Sequence, residues 1–235
     1  MSNCSCSCVK EPKHTQTKKE FITNLLIGAP NVGKSTFFNR ITWQHSPVGN
    51  IDKITVCSNL GSFKGDKNIK FLDLPGVYNL NPITKEEEIV INNILNKKYE
   101  KIINIISITS IRRDLLLTIE LLESNRLNNL VVNMIDEWKG QPLNSFKLIN
   151  KLGISTSLIS STKNKNIKQA IADILNFNNK KEFNLKYDEK IENLINIVEQ
   201  KIEFEANVSK RFLAIQSIND NWFVRKYLSD NNVHI

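Results

Sequence analysis

An apolar run, Phe21 to Ile27, stops at Gly28, and an amphipathic stretch begins directly after Gly33-Lys34-Ser35. No other feature narrows the fold as far. The spacing Gly28-x-x-x-x-Gly33-Lys34-Ser35 is that of a loop that leaves a strand, cradles phosphate with its backbone N–H groups and enters a helix. Gly28 and Gly33 allow close approach of the backbone where a Cβ would clash. Ala29, Pro30, Asn31 and Val32 form the body of the loop, and Thr36 follows Ser35 into the helix. In such a loop Lys34 reaches the β- and γ-phosphates and the Ser35 hydroxyl ligates Mg²⁺.

The remainder of the chain alternates short apolar runs with helical patterns, which predicts an α/β fold: a mainly parallel, six-stranded sheet with helices on both faces. Strands are expected at Phe21–Ile27, Ile54–Leu60, Ile69–Leu72, Ile102–Ile106, Leu130–Met134 and Thr156–Ser160, with Gly65-Asp66 turning the second into the third. Helices are expected from Lys34 to Ile41, Glu86 to Leu95, Asp114 to Glu123, Leu143 to Leu152 and Ile167 to Leu175. Glu86-Glu87-Glu88 opens its helix and complements the dipole.

The polar stretch "NFNNKKEFN" (176–184) reads as a linker. Beyond it Ile191, Leu194, Ile195, Val198 and Ile202 share one helical face, and Ser209 and Asp220 are placed to cap two further helices. The domain reading is therefore a Cys-containing tail over 1–20, a nucleotide-binding domain over 21–176 and a small helical domain over 177–235.

Two downstream motifs identify the nucleotide. "FLDLPG" (71–76) ends a strand on Asp73 and turns at Pro75-Gly76, so Asp73 can hold Mg²⁺ through water and the Gly76 N–H can sense a γ-phosphate. Thr55 lies between the phosphate loop and this strand, where a second hydroxyl completes the metal shell. "VVNMID" (131–136) delivers Asn133, Met134 and Asp136 from the end of another strand. A carboxylate at Asp136 accepts from N1–H and the exocyclic amine of guanine, a donor pair that adenine lacks. Asn133 ties the base loop to the phosphate loop, and Ser161-Thr162-Lys163 covers guanine O6. In this order the motifs specify GTP and GDP with Mg²⁺.

Composition limits the alternatives. At 235 residues with 40% hydrophobic content the chain can bury a core. A formal charge of +8 is spread over scattered lysines, which points to solvation rather than to a nucleic-acid stripe, and no direct nucleic-acid partner is expected. No apolar run reaches the ~20 residues of a spanning helix, and an apolar signal segment is lacking, so a cytoplasmic chain is expected. Three of the four cysteines stand in the tail as Cys4, Cys6 and Cys8, with Cys57 in the body, which excludes a disulfide-stapled fold. The three thiols, without a fourth ligand, form a weak metal set, and His14, His45 and His234 lack mutual ligand spacing.

These motifs resemble the cytosolic G domain, with its helical domain, of the ferrous iron transport protein B (FeoB) family among the Era-like GTPases. The resemblance rests on "GAPNVGKST", "VGNIDKITV", "DLPGVYNL", "NMID" and "SSTKNKNI". It extends through "RRDLLLTIELLE" (112–123) and "RFLAIQSINDN" (211–221) and covers roughly residues 21–225. It implies a switch that regulates ferrous iron uptake through a membrane permease domain or subunit, at the inner face of the bacterial membrane. An oligomer would form through that partner. It also implies a K⁺ held by Asn31 beside the phosphates, with Lys34, Thr55 and Gly76 as the catalytic groups.

Departures from the family's pattern are Ala29 at a position usually Asn, the segment "GNIDKITVC" in place of Gly-Asn-Trp-Pro-Gly-Val-Thr-Val-Glu, and Ser107 at a position usually Asp. Val77 follows Gly76 where Ras-like proteins carry a water-positioning glutamine, so slow intrinsic turnover is expected. Two other readings stand beside the transport switch: a stand-alone Era-like GTPase of ribosome or RNA maturation, and a GTP-binding module that has largely lost hydrolysis.

Overall fold

The computed structural model describes residues 22–44, 58–97, 99–140, 151–177 and 183–234. Thr55, the tail cysteines, Cys57, His14, His45, most of the helix expected at Leu143–Leu152 and the centre of the expected linker lie outside the described residues. Strand β1 (Ile22–Gly28) leads into helix α1 (Lys34–Ile41), followed by β2 (Thr42–Gln44), β3 (Asn59–Phe63) and β4 (Ile69–Asp73). Helix α2 (Lys85–Asn96), β5 (Lys101–Ser107), α3 (Ile111–Glu123), β6 (Leu127–Asn133), β7 (Ser155–Leu158) and α4 (Ile167–Asn176) complete the sheet and its cover. Three helices follow: α5 (Glu189–Lys201), α6 (Lys210–Ile218) and α7 (Trp222–Asp230).

Among the described residues the sheet is seven-stranded, in the order β2-β3-β4-β1-β5-β6-β7. Pairings from β4 through β7 are parallel, while β2–β3 and β3–β4 are antiparallel. The strand beyond the six expected is β2, three residues that follow α1 without a break. Residues 54–57 of the strand expected at Ile54–Leu60 lie outside the described residues; the described strand runs on to Phe63, because Asn59 to Ser62 pair with Asp73 to Lys70. Its pattern is poor because Gly61 is forced: a Cβ there would stand 2.7 Å from the Thr42 Cβ.

Alternation along β1 distributes its side chains to two cores. Leu26 joins Phe37, Phe38 and Ile41 of α1 and Ile167, Ala170 and Ile174 of α4 on one face. Leu25 and Ile27 face the other core, where α2 and α3 pack and where Ile195, Ile202, Phe212, Leu213, Val224 and Leu228 of the C-terminal helices also bury. The C-terminal helices therefore share a core with the sheet.

Helix starts follow their side-chain chemistry. Thr84 and Glu87 form a reciprocal capping box on α2. Ser209 caps α6, as expected, but the cap of α7 is Asn221, whose side chain accepts from the Val224 N–H; Asp220 sits one residue earlier in the left-handed region at φ 58. The apolar stripe of α5 is only partly covered. Ile195, Val198 and Ile202 are buried, whereas Ile191 and Leu194 are 42% and 50% exposed, because α6 packs against one flank of a stripe wider than itself.

Candidate nucleotide-binding site

β1 lies in the middle of the sheet with β4 on one side and β5 on the other, so its carboxyl end opens onto a crevice where parallel α/β sheets bind ligands. Register aligns the groups that matter: Leu26 pairs with Asp73, Gly28 with Ile105, and Ser107 with Asn133. Gly28 is required there, since a Cβ would lie 2.3 Å from the Ile105 carbonyl oxygen. Asn31 (φ 64) and Gly33 (φ 81) take left-handed conformations that turn the loop back toward α1. The first turn of α1 carries neither a side-chain cap nor an acidic residue, which leaves its N–H groups and the positive end of its dipole for an anion.

The Lys34 ammonium is 9% exposed and stands 2.5 Å from Asp73 Oδ1, with a second bond to the Leu74 carbonyl. Ser35 Oγ donates to the other carboxylate oxygen, Asp73 Oδ2, at 3.0 Å. One buried carboxylate thus orients both the cation and the hydroxyl. Beyond it the chain stays zipped to β1, with Leu74 N–H bonded to the Leu26 carbonyl at 3.2 Å and Val77 N–H to the Gly28 carbonyl at 3.1 Å. Gly76 is pressed against the loop, where a Cβ would come within 2.9 Å of the Pro30 nitrogen. Ala29–Asn31, Gly33–Thr36, Gly76 and Met134 line a cleft of about 510 Å³. That size suits a small ligand. A fixed ammonium, a hydroxyl beside a carboxylate and an uncapped helix start fit a Mg–nucleoside phosphate.

Asn133, 1% exposed, bridges the two halves of the site. Its Nδ2 donates to the Val32 carbonyl at 2.9 Å, and its Oδ1 accepts from the Ser161 N–H at 2.9 Å. A Cβ on Gly33 would meet that Nδ2 at 2.3 Å, so glycine is needed for space as well as for its positive φ. Met134 (φ 63) is held with its sulfur 3.3 Å from Ser107 Oγ. Asp136 faces Lys163 Nζ at 3.5 Å, and its carboxyl is held below the usual range, first by the Ser160 hydroxyl and to a smaller extent by Lys163. Thr162 Oγ1 lies 3.2 Å from Ser160 Oγ. The described phosphate-loop residues, Gly76 and Met134 therefore line one crevice, and hydrogen bonds tie Asp73, Asn133 and Ser161 to its edge.

Long-range partners were not foreseen. Arg40, at the end of α1, reaches the loop that holds Ser161 and Thr162. The segment after Gly76 is tied to α3 and to the start of α7. Leu80 N–H donates to Glu120 Oε2 at 2.7 Å, Asn221 Nδ2 donates to the Leu80 carbonyl at 2.8 Å, and Trp222 Nε1 donates to the Pro82 carbonyl at 2.8 Å. These contacts join residues 40, 141 and 140 positions apart, and no local pattern announces them. Among the described residues, His, Cys, Asp and Glu side chains form no group of three or more that could hold a metal, and no helix is long and apolar enough to cross a membrane.

A phosphate loop between β1 and α1, an aspartate at the end of the adjacent strand and Asn133-x-x-Asp136 at the end of β6 define a G domain of the P-loop GTPase class. Comparison gives the particular family. The model of the ferrous iron transport protein B N-terminal region matches residues 22–174, and the chain belongs to that family.

It is 32% identical over 216 residues to the Fe(2+) transporter FeoB of Staphylococcus aureus (strain MSSA476), covering 89% of this chain and 32% of that protein. It is 37% identical over 136 residues to the Fe(2+) transporter FeoB of Helicobacter pylori (strain ATCC 700392 / 26695), covering 57% of this chain and 21% of that protein. The chain thus spans a third or less of the length of these curated relatives. The crystal structure of the S. thermophilus N-terminal FeoB fragment bound to GDP, AlF4⁻ and K⁺ superposes with a TM-score of 0.77 at 28% identity, over 88% of this chain and 83% of that one. A GDP-bound S. thermophilus FeoB G domain variant gives the same TM-score at 29% identity, over 88% of this chain and 82% of that one.

Proposed function

We propose that this chain binds GTP and GDP with Mg²⁺ in the crevice at the carboxyl end of β1 and hydrolyses GTP slowly. It would serve as the regulatory switch of a ferrous iron permease at the inner face of the bacterial membrane. The observation that carries the reading is the shared carboxylate of Asp73, which sets Lys34 and Ser35 side by side at the uncapped start of α1. Lys34 and the N–H groups from Asn31 to Ser35 hold the β- and γ-phosphates, while Asn133, Asp136 and the Ser161–Lys163 loop select guanine. Ser35, Thr55 and Asp73 are the residues that would hold Mg²⁺, which would supply charge neutralisation at the outer phosphates. Asn31, 2% exposed Ala29 and Gly76 lie along the same wall, and Asn31 is the residue to recruit K⁺, the ion bound in the S. thermophilus structure.

Slow turnover follows from two side chains. Val77 is 1% exposed, packed into the core with its N–H bonded to Gly28, so it presents no group to an attacking water. Ala29 contributes a methyl group where a polar side chain could stabilise developing charge. The same two residues favour a second reading, a GTP-binding module that has largely lost hydrolysis.

Single-turnover hydrolysis with Mg²⁺, in KCl and in NaCl, tests both after GTP binding is established over ATP. Faster cleavage in KCl, lost in Asn31→Ala, supports the K⁺-assisted switch. Tight binding with equal, negligible rates in both salts supports the second reading. Absence of guanine-nucleotide binding overturns both. Co-purification of a permease polypeptide tests the transport partner.

A further inference from the structure

Arg40 occupies the last turn of α1, where a basic residue ordinarily complements the negative end of the helix dipole. Its guanidinium is spent elsewhere. Nε donates to the Ser161 carbonyl at 3.0 Å and Nη2 to the Thr162 carbonyl at 2.8 Å, across 121 and 122 residues of sequence. The carbonyls at the end of α1 have other partners. Lys64 Nζ donates to the Asn39 and Arg40 carbonyls at 3.0 and 2.8 Å, Lys64 N–H to the Ile41 carbonyl at 2.9 Å, and Thr42 Oγ1 to the Phe38 carbonyl at 2.7 Å. With the cap supplied by Lys64 and Thr42, Arg40 is left to clamp the loop.

Resting on the guanine-nucleotide reading above, we infer that Arg40 is a positioning residue for nucleotide retention: it fastens the base-covering loop Ser161–Lys163 to the phosphate-loop helix and thereby slows release of bound GDP. The loop is otherwise held near the base by the Ser161 N–H on Asn133, by the Lys163 N–H on Ser160 Oγ at 3.2 Å and by Lys163 on Asp136. Asn133 grips the amide on one side of Ser161; Arg40 grips the carbonyls on the other. Both carbonyls accept from one planar fork, so one side chain holds the peptide planes on either side of Thr162 in addition to those bonds. The far end of that side chain sits on the same rigid helix whose first turn faces the phosphates. Base side and phosphate side therefore open together or not at all. The bond to Thr162 is solvent-exposed and that to Ser161 partly buried, so the effect is moderate and weakens with salt.

The test compares the full chain with Arg40→Ala and Arg40→Lys by stopped-flow release of a fluorescent N-methylanthraniloyl-GDP, together with single-turnover cleavage of pre-bound GTP. Release is expected to accelerate about 10-fold in Arg40→Ala, the scale of two charge-assisted hydrogen bonds of which one is exposed and one partly buried, and less in Arg40→Lys, which retains one donor centre. The cleavage rate of bound GTP should stay within about 2-fold, since Lys34, Ser35 and Asp73 are untouched, and raised salt should narrow the gap between wild type and Arg40→Ala.

Unchanged release in folded variants overturns the inference. So does parallel loss of melting temperature, binding and cleavage in both variants, which would make Arg40 a general fold residue. If the wild-type chain itself binds no guanine nucleotide, the functional reading fails. The clamp is then judged by hydrogen exchange of the 161–165 amides, which must rise in Arg40→Ala if the clamp exists.

Discussion

Lys34 of the phosphate loop and Asp73 at the end of β4 form a buried ion pair at 2.5 Å, and the same carboxylate takes the Ser35 hydroxyl at 3.0 Å. The pair links the two segments that must sense the phosphates. Removing one member of a buried pair leaves the other charge without compensation. The arrangement is stable because Asp73 has two donors and Lys34 has two acceptors, the second being the Leu74 carbonyl.

On the proposed reading, binding would exchange Asp73 for phosphate as the counter-ion of Lys34, so the ammonium is needed in the complex. Lys34→Met keeps the stem and removes the charge. It should weaken binding of N-methylanthraniloyl-GTP by about 100-fold or more, read by fluorescence titration with Mg²⁺, while the sheet stays folded. Binding within a few-fold of wild type would show that the phosphates lie elsewhere.

Asn133 is the second hinge of the site. Asn133→Ala strips the partners from the Val32 carbonyl and the Ser161 N–H, two buried groups, at a cost of about 1–3 kcal/mol. The melting temperature of the nucleotide-free chain should fall by roughly 3–8 °C. GDP affinity should fall further than stability, since both loops around the nucleotide lose their tie. Gly33→Ala should mimic it, because its Cβ would displace the same Nδ2 from 2.3 Å and its φ of 81° is strained for alanine. A stable Gly33→Ala protein with wild-type affinity would contradict this geometry.

The sequence announces these elements because their chemistry is local. A glycine that must accommodate a carbonyl, a lysine at a helix start and an aspartate at a strand end lie within short, ordered motifs. β2 and β3 are less visible, being a three-residue edge and a glycine-interrupted strand whose partners are set by antiparallel register. Periodicity places Ile191 and Leu194 on the same face of α5 as Ile195 and Val198 but does not tell which flank of that face α6 covers. The contacts of Arg40, Glu120 and Asn221 are assembled by the fold alone, over separations of 40 to 141 residues.

Glu120 carries a pH signature into the segment that follows Gly76. Burial, with a smaller contribution from Glu123, pushes its carboxyl up to about 7 from an ordinary 4.5, despite donors from the Leu80 N–H and the Gln216 side chain. The folded chain therefore keeps a proton that the unfolded chain releases between those values. Its stabilising effect is full below about pH 4.5 and is lost as pH rises through about 7. Glu120→Gln, which still offers an oxygen to Leu80, should flatten the decline of melting temperature between about pH 5.5 and about pH 8 by roughly 3 °C or more. Parallel curves for the two proteins would show that Glu120 does not hold that proton.

Trp222 offers a direct view of the tie between the segment after Gly76 and the C-terminal helices. Its indole N–H donates to the Pro82 carbonyl, its ring packs edge-on against Phe223 at 5.4 Å, and it is 47% exposed, so loss of the contact with Pro82 would admit water to the ring. Asn221 holds the Leu80 carbonyl at 2.8 Å just before it. If the segment after Gly76 moves when a γ-phosphate is bound, it must strain or break these two bonds, because their donors belong to a helix packed into the common core.

The chain has three tryptophans, so the double variant Trp43→Phe, Trp138→Phe isolates this one. Its emission should be red-shifted and weaker with a non-hydrolysable GTP analogue than with GDP. Asn221→Ala in that background should shrink the difference, since the segment is already loosened. Identical spectra with the two nucleotides, in a protein that binds both, would mean that the segment stays docked on α7 throughout the cycle and that any signal to a partner leaves the G domain by another face.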